Sequence, residues 1–276
     1  MTSNKYVARE VNRQEWDFYW AKIIKSNLLQ SWEYGEAKKS SQSWVPFRYV
    51  IENSNGEVVA VTQVLTKTLP ILGGMARLNR GPVLLSETND QSPNIFLDLL
   101  SSVVELRKIN RWWLFFIAPE IWSGQVSNID MMKLGFKIRK SNPWGSAILN
   151  LSASQGDLLK NLKGKWRNLL RKAQKSNIKV RKICAEGSEF ERLISLYGEM
   201  QKEKKFVGMP LGLLRDLGKA KGTMWNLNVF LGELDVDGKG KSETVGMLIS
   251  AQHGNTATYL IGYTGSGGRK INVNYL

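Results

Sequence analysis

The spacing of apolar residues changes several times along the first half of the chain. Near the start, five residues recur at helical spacing and share one face of a predicted helix: Trp16, Tyr19, Trp20, Ile23 and Ile24. Residues 28–39, with the sequence LLQSWEYGEAKK, predict a second helix. From residue 47 to residue 67 the period becomes two, and an Asn-Gly pair between the two apolar runs predicts a β-hairpin. Residues 73–85 add a further predicted strand.

A longer apolar helix and a strand complete this first series of elements. The spacing predicts a helix over Pro93–Lys108, whose inward residues are Ile95, Phe96, Leu99, Leu100 and Val103. The next predicted strand covers Trp112–Ile117, within the longest apolar run of the chain, WWLFFIAP. This run is far too short to cross a bilayer, so it predicts a buried strand and no transmembrane segment.

The same order of elements returns in the second half. An amphipathic helix precedes a predicted strand over Ile178–Ile183, and two helical stretches follow, FERLISLYGEMQKEKKF and PLGLLRDLGKA. Residues 227–263 then predict three strands joined by turns, the first at the Asp-Gly and Lys-Gly pairs of residues 237–240. The chain therefore reads as two tandem copies of helices followed by an antiparallel meander.

This repetition predicts an α/β (α+β) chain of two domains. Residues 1–145 form the first and residues 146–276 the second, with the boundary inside Lys140–Ala147, KSNPWGSA. The second copy stops at Leu276, where its next helix would begin. We therefore expect it to lack the final helix and strand of the pattern.

Charge sets one stretch apart from the rest. The chain has 39 Lys and Arg against 24 Asp and Glu, and a net charge of +15 favours polyanionic partners. On a helical wheel of residues 158–175 the apolar side consists of Leu158, Leu162, Trp166, Leu169, Leu170 and Ala173. The opposite side carries Lys160, Lys163, Arg167, Arg171 and Lys175. No acid lies between Asp157 and Glu186, so these charges repel one another until an anion binds. We predict phosphate or RNA binding here; the alternative is a solvated helix face.

Cysteine and histidine are too scarce for several classes of site. Cys184 is the only cysteine and His253 the only histidine, so no intrachain disulfide can form and a zinc site is not expected. The position of Cys184 after a strand predicts a buried or edge thiol, and His253, in QHGN, predicts a turn residue rather than a general base. No Walker A or dinucleotide-binding glycine motif occurs, so we expect no cofactor and no metal.

The start of the chain has no apolar signal region, which predicts a cytoplasmic protein whose membrane contact, if any, is peripheral.

Four stretches, in this order, resemble the Fem (FemABX) family of peptidoglycan-bridge aminoacyltransferases. They are LLQSWEYGEAK (28–38), RGPVL (80–84), LLKNLKGKWRNLLRKAQKSNIKV (158–180) and YLIGYTGSGGRKINVNYL (259–276). The resemblance extends over nearly the whole chain and implies two tandem GNAT-like domains, related to acyl-CoA N-acyltransferases. It also implies transfer of an amino acid from aminoacyl-tRNA to the stem-peptide amine of a peptidoglycan precursor, either UDP-linked or lipid-linked, in cell wall biogenesis.

The resemblance implies roles for particular residues as well. Lys38 ends the motif Gln-Ser-Trp-Glu-aromatic-Gly-x-x-Lys and is similar to a lysine that meets the phosphates or the peptide carboxylate of the precursor. Arg80, before Gly-Pro, is a second candidate for ligand binding, with a solvated arginine as the alternative. Tyr259 or Tyr263 corresponds to a tyrosine that lines the acceptor cleft. Arg269 belongs to a Gly-Arg-x-x-Asn-x-x-Tyr-Leu signature that opens a helix, whose amides could bind an anion.

The chain departs from the family pattern at its candidate proton acceptor. Where the family often has an acid before proline, this chain has Ala118, which leaves Glu120 as the nearest carboxylate and a weak catalytic candidate. Aminolysis of an ester requires positioned partners, loss of a proton from the amine and hydrogen-bond donors to the carbonyl oxygen. We expect positioning to dominate.

Two other functions remain open on sequence grounds. A GNAT-type N-acyltransferase that uses acyl-CoA would need an Arg/Gln-x-x-Gly-x-Gly/Ala turn before a helix, which GSGGRKIN at residues 265–272 approximates loosely. The same GSGGRK stretch is also typical of a hairpin turn. The third reading is a non-catalytic module that binds RNA or a membrane surface.

Overall fold

The structure is a computed structural model that describes residues 5–69, 73–85, 93–121, 124–140, 145–235 and 242–276. The chain divides into two compact units. The first comprises Met1–Ile138, Met209–Leu227 and Ser250–Tyr259, and the second comprises Arg139–Gly208, Asn228–Ile249 and Leu260–Leu276. Residues 141–144 of the predicted boundary lie outside the described residues, and the division into 1–145 and 146–276 stays a prediction.

The first sheet contains the predicted strands and one more, β1, which the spacing of apolar residues did not predict. Its strands are β1 (Tyr6–Glu10), β2 (Val45–Asn53), β3 (Val58–Leu69), β4 (Gly73–Asn79), β5 (Val83–Leu84) and β6 (Trp112–Ala118). They lie in the order β1-β2-β3-β4-β6, with β5 paired to β3. Neighbours are antiparallel except for β4 and β6, which are parallel. The helices of this region are α1 (Arg13–Trp20), a 3-10 helix (Leu28–Gln30), α2 (Trp32–Gln42), α3 (Pro93–Ile109) and α4 (Asn128–Lys133).

Helices cover both faces of this sheet because successive side chains of a strand point to opposite sides. Val64 of β3 belongs to the core built with α3, whose predicted inward residues Leu99, Leu100 and Val103 are buried there. Val61, an odd number of positions away, packs instead with Trp16 of α1. The predicted helix over Pro93–Lys108 and its apolar face are therefore confirmed.

Two details of the first copy differ from the sequence prediction. Helix α1 ends at Trp20, and the chain then turns through a hydrogen bond from Ile23 N to Trp20 O, so Ile24 is 54% exposed rather than part of a helix face. Strand β6 is not a buried strand, since Trp113 is 59% exposed and Leu114 is 53% exposed. The reason is that only one face of β6 is covered, since Trp112, Phe115 and Ile117 pack in the core with α3 whereas Phe116 is exposed like Trp113 and Leu114.

The second sheet contains the four strands predicted for the second copy. These are β7 (Ile178–Ile183), β8 (Trp225–Asp235), β9 (Ser242–His253) and β10 (Thr256–Thr264), in the order β10-β9-β8-β7. The other helices are α5 (Gln155–Asn161), α6 (Gly164–Gln174), α7 (Ser188–Glu203), α8 (Leu211–Lys219), α9 (Ser266–Lys270) and a 3-10 helix (Val273–Tyr275). The turn predicted at residues 237–240 lies outside the described residues. In the described part of the chain, no helix is long and apolar enough to cross a membrane.

An arginine cluster marks the start of the first copy. Arg9 of β1 donates to Glu52 of β2 (Nε to Oε1, 2.9 Å) and to Glu15 in the first turn of α1 (Nη2 to Oε1, 2.5 Å). In the strand register, Glu52 stands opposite Val7, two residues before Arg9. The guanidinium therefore joins a strand, its neighbour and the following helix.

The second copy repeats this cluster in the same register. Arg181 of β7 donates to Glu233 of β8 (Nε to Oε2, 2.8 Å) and forms an ion pair with Glu189 in the first turn of α7. Glu233 stands opposite Lys179, again two residues before the arginine. Because the strand order and this cluster both recur, the predicted duplication is confirmed in three dimensions.

The basic stretch forms two helices rather than the single helix of the wheel. Leu162 and Lys163 are extended, with ψ of 143° and 142°, and separate α5 from α6. Lys163 offers no side-chain cap, and Gly164 starts α6 with a poor helix-forming residue, so one continuous helix is not favoured. The wheel's apolar side is also only partly covered, since Ala173 is buried whereas Trp166 is 43% exposed.

Candidate functional site

Two side-chain caps fix the segment that leads to Lys38. Asn27 Oδ1 accepts a hydrogen bond from Leu29 N at 3.0 Å and begins the 3-10 helix. Ser31 Oγ accepts one from Tyr34 N at 3.3 Å and begins α2. Asn and Ser suit these positions because their oxygens satisfy amides that have no partner within the helix. The caps define where α2 starts and therefore which residues face the sheet.

A buried glutamine then ties this segment to two strands. Gln30 Nε2 donates to the carbonyl oxygens of Gln63 (3.1 Å) and Asn79 (2.7 Å), while Gln30 Oε1 accepts from Gln63 N at 2.7 Å. Gln30 is fully buried, so each of these bonds replaces one that water would otherwise supply. The Gln-Ser-Trp part of the motif is thus engaged in holding α2 against β3 and β4.

Arg48 of β2 completes this polar network under α2. Its Nε donates to Gln63 Oε1 at 2.9 Å, and its Nη2 donates to Glu36 Oε1 at 2.9 Å. The guanidinium also lies 3.5 Å from the centre of the Trp32 ring. Burial lowers the pKa of Arg48 to about 10, against the opposing effect of Glu36, and the side chain remains charged at neutral pH. Trp32 therefore contributes to packing within this unit, where its ring lies against Arg48.

Lys38 lies on the second half of α2 in a group of three cations. Its Nζ donates to Gln42 Oε1, and burial lowers its pKa, followed by the charges of Arg77 and Lys67. Lys67 Nζ and Arg77 Cζ lie 5.1 Å and 4.8 Å from the Trp44 ring centre. Within the described ranges, none of the three cations forms a salt bridge.

Tyr34 lies one helical turn before Lys38 on the same side of α2. It is buried, and burial raises the pKa of its phenol to about 12. The phenol is therefore neutral at physiological pH. This favours a packing role and excludes a phenolate that would offset the nearby cations.

Arg80 and Glu120 follow the ends of the parallel strands β4 and β6. Arg80 has a positive φ of 59°, and its N donates to Ala118 O at 2.7 Å, so the two strand ends are joined. Glu120 Oε2 accepts from Asn27 Nδ2 at 2.6 Å, and Glu120 Oε1 lies 3.9 Å from Lys25 Nζ. The structure thus brings the loops that carry these two predicted residues together and adds Asn27 as a holder of the carboxylate.

The cationic surface of the second unit is formed by α5, α6, β7 and the residues between them. Within the described chain, its members without an ion pair to an acid are Lys163, Lys165, Arg167, Arg171, Lys172, Lys175, Lys179 and Lys182. Of the predicted set, Lys160 lies 3.7 Å from Asp157 across one turn of α5, and Arg167 donates to Lys160 O at 2.7 Å. The surface therefore offers a long series of uncompensated charges to an anionic partner.

The remaining predicted residues lie on β10 and on the segment after it. Tyr259 and Tyr263 are both on β10, and Arg269 is on α9. The GSGGRK stretch is a short helix, not a hairpin turn. Gly268 within it packs against Val245 O and Val273, so this glycine is needed for packing inside the unit. Tyr275 contacts Trp166 of α6 edge-on, with 4.5 Å between ring centres.

His253 is not the exposed turn residue that the sequence predicted. It ends β9, is 1% exposed, and its Nε2 lies 2.8 Å from Thr258 Oγ1 while its Nδ1 lies 3.1 Å from Ser26 Oγ. The Ser26 hydroxyl also donates to the His253 carbonyl oxygen. The turn comes one residue later, at Gly254, whose φ is 71°. Burial lowers the pKa of the imidazole to about 4, so it is neutral under physiological conditions.

Acidification is expected to destabilise the protein through His253. Its pKa is about 4 in the folded protein against an ordinary value of 6.5 for histidine, so the unfolded state binds the extra proton first as the pH falls. The stability contributed by this residue is present above pH 6.5 and is lost progressively between about pH 6.5 and pH 4, by about 3 kcal/mol in total. Denaturant unfolding of the wild type and of His253→Gln at pH 7, 5.5 and 4 measures this. The free energy of unfolding of the variant should lack this loss between pH 6.5 and pH 4. An equal dependence of the free energy of unfolding on pH in both proteins would contradict the prediction.

In the described part of the chain, no group of three or more His, Cys, Asp or Glu residues is arranged to hold a metal ion. No family model matches the sequence, and no curated protein matches it. Among solved structures, the crystal structure of FemX is similar, with a TM-score of 0.75 and 17% sequence identity. The similarity covers 97% of this chain and 83% of the FemX chain.

The chain has the fold of FemX. This confirms the fold class that the resemblance implied, α/β with two tandem GNAT-like domains. Two further structures are similar at lower scores. A probable acetyltransferase has a TM-score of 0.33 and 11% identity, over 53% of this chain and 99% of its own. A glucosamine N-acetyltransferase region of a fungal β-N-acetylglucosaminidase has a TM-score of 0.35 and 10% identity, over 99% of this chain and 33% of its own.

Within the FemX fold, sequence reasoning missed three residues of the candidate site. Lys67 and Arg77 read as ordinary polar positions of alternating strands, and Asn27 reads as part of a loop. Only Asn27 has a signal in the sequence, because an asparagine directly before LLQ is typical of the residue that caps the start of a helix. For Lys67 and Arg77 no local signal exists, because only the pairing of β3 with β4 brings them together.

Proposed function

We propose that this protein is an acyltransferase that moves an amino acid from aminoacyl-tRNA to the stem-peptide amine of a peptidoglycan precursor. The observation that carries the proposal is the cationic surface of α5, α6 and β7, a long series of Lys and Arg residues without acidic partners on a chain with the FemX fold. Aminoacyl-tRNA as the donor of the amino acid accounts for such a surface, because each phosphate of the RNA can bind one cation. A coenzyme diphosphate would need only two or three.

The reaction needs positioning more than covalent help from the protein. The acceptor amine attacks the carbonyl carbon of the ester, a C–N bond forms, and the C–O bond to the ribose breaks. The leaving ribose oxygen takes up a proton, and the attacking nitrogen gives one up. We assign binding of the precursor's phosphates or carboxylate to Lys38 and Arg80, and acceptor contacts to Tyr259 or Tyr263. Arg269 is a further candidate for contact with an anionic group of the substrates.

Glu120 is the proposed proton acceptor in this scheme. Its carboxylate is held by Asn27 Nδ2 at 2.6 Å and is partly exposed, so an incoming ammonium group can approach it. Proton transfer through such a group typically contributes a factor of 10²–10⁴. Release of the proton to water or to the leaving ribose oxygen would leave Glu120→Gln active, which makes this variant the test of that role.

Transfer of radiolabelled amino acids from a total aminoacyl-tRNA pool tests the proposal. The acceptors are UDP-MurNAc-pentapeptide and lipid II, offered separately. Lys38→Ala is expected to lower kcat/KM at least tenfold, because it removes a charge-assisted contact of about 1.5–3 kcal/mol. Lys39→Ala is the matched control, since Lys39 is the next residue of α2 and is exposed. It should retain wild-type transfer.

Acyl-CoA as the donor is the competing outcome. The stretch that would bind its pyrophosphate contains Gly268, which packs against Val245 and Val273 inside the unit. Transfer from acetyl-CoA together with no transfer from aminoacyl-tRNA to either acceptor would replace the proposed function by this alternative. RNA binding without transfer from any donor would favour the non-catalytic module.

A further inference from the structure

Lys38 and the two cations at the Trp44 ring, Lys67 and Arg77, come from separate parts of the chain. Lys67 is on β3 and Arg77 on β4, and in the antiparallel register Arg77 stands opposite Leu65, two residues before Lys67. Leu65 and Lys67 point to the same face of the sheet, so Lys67 and Arg77 are diagonal neighbours on that face. Helix α2 packs on β3 and carries Lys38. The Trp44 amide donates to Lys38 O at 3.2 Å, which joins the end of α2 to the ring between the strand cations.

Trp44 fixes the two strand cations in place. The ring is 6% exposed and lies within 5.1 Å of both Lys67 Nζ and Arg77 Cζ. A ring face attracts cations and so holds them at a defined position, yet it carries no net charge to offset them. Lys38, Lys67 and Arg77 therefore remain a compact group of net charge +3, with no salt bridge among the described residues.

We propose that Lys67 and Arg77 act with Lys38 as a three-cation site for a diphosphate group. The proposed function supplies the identity of the natural ligand, a precursor with linked phosphates, but binding itself does not depend on transfer. A diphosphate carries two to three negative charges and matches the group, whereas a single carboxylate would leave two charges uncompensated. The planar guanidinium of Arg77 can bind two oxygens at once, and the two lysines act as point charges.

The close spacing of these cations favours a diphosphate over RNA as their ligand. An RNA backbone needs cations spread along its length, as on α5, α6 and β7, whereas Lys67 and Arg77 are gathered around one indole ring, and Lys38 is joined to the same tryptophan through the backbone. Lys38 is also half-buried, and its pKa is lowered by burial and by the other two charges. A small dianion bound at this position would offset the repulsion between Lys38 and the other two cations.

The test is calorimetric titration of the full chain with inorganic pyrophosphate at low salt. Lys67→Gln and Arg77→Gln are each expected to weaken binding about tenfold, the size of one charge-assisted contact. The double variant should lose about a hundredfold, and Lys39→Gln should bind as the wild type does. Arg77→Lys keeps the charge and should recover most of the affinity. Thermal unfolding of each variant shows whether the contacts with Trp44 are needed for folding.

Several results would overturn the inference. These are no pyrophosphate binding by the wild type, unchanged binding by both Gln variants, or an equal loss in Lys39→Gln. A short oligouridine is titrated in parallel. If Lys67→Gln and Arg77→Gln lose oligouridine binding as strongly as pyrophosphate binding, the ligand is RNA instead. Pyrophosphate binding that depends on Lys67 and Arg77 but without aminoacyl transfer would uphold this site and reject the proposed function. The reverse result would uphold the function alone.

Discussion

Replacing Lys163, Arg171, Lys175 and Lys179 together by glutamine is expected to weaken RNA binding about a thousandfold at 0.1 M salt. All four side chains are exposed, and none forms an ion pair within the described residues, so each is available to a phosphate. Each phosphate contact adds about 0.7–0.9 to the slope of log K against log salt. Four lost contacts therefore correspond to about three units of slope and three decades of affinity at that salt concentration.

Fluorescence anisotropy with labelled tRNA, titrated between 0.05 and about 0.5 M salt, measures both quantities. A matched variant removes four other exposed lysines, Lys39, Lys108, Lys133 and Lys137, two of which pair with acids one turn away. It carries the same change of net charge and should bind within a few-fold of the wild type. Equal losses in the two variants would mean that only the net charge attracts RNA. An unchanged slope in the first variant would remove the cationic surface from the proposed function.

Gly35→Ala is expected to destabilise the first unit by about 3 kcal/mol or more. A Cβ at this position would lie 2.7 Å from Arg48 Nη2 and would overlap the Gln63 amide. Both atoms are buried members of the network under α2, so relief of the clash must break hydrogen bonds of Arg48 or Gln63. The gain in helix propensity from glycine to alanine, about 1 kcal/mol, is too small to compensate.

Gly212→Ala is the control for this change. Gly212 is in α8, and the nearest atom to an added Cβ is Ser41 Cβ at 3.7 Å, an ordinary contact. This variant should be more stable than the wild type by about 0.5–1 kcal/mol. Denaturant unfolding monitored by tryptophan fluorescence compares the two. A Gly35→Ala protein as stable as the wild type would show that α2 can move away from β3 at little cost.

The duplicated order of elements could be derived from the sequence because it depends on local periodicity. The Asn-Gly pair between β2 and β3, the α3 spacing of Leu99, Leu100 and Val103, and the exact bounds of β7 each follow from residues within a short window. The same local rule explains the error at Leu162 and Lys163. A helical wheel assumes an unbroken helix, and it cannot register two extended residues before a glycine.

Exposure and juxtaposition could not be derived in this way. Strand β6 is as apolar as a buried strand, but only the face that packs with α3 is covered, and the other face is exposed. His253 is next to a turn in sequence, yet Ser26, 227 positions away, meets its ring in the buried interior. Burial depends on which distant segments cover a residue, and these are set by strand pairing and helix packing.

The sequence by itself determined most of the series of helices and strands, their duplication, the cationic stretch of residues 158–175, and the motif that ends at Lys38. Only the tertiary structure decided that Gln30 and Gly35 of this motif hold α2 on the sheet, and that Lys67 and Arg77 meet at Trp44 and act on the charge of Lys38. The physical reason is that periodicity and capping act over a few residues, whereas strand register and close packing bring together charges that are far apart in the chain.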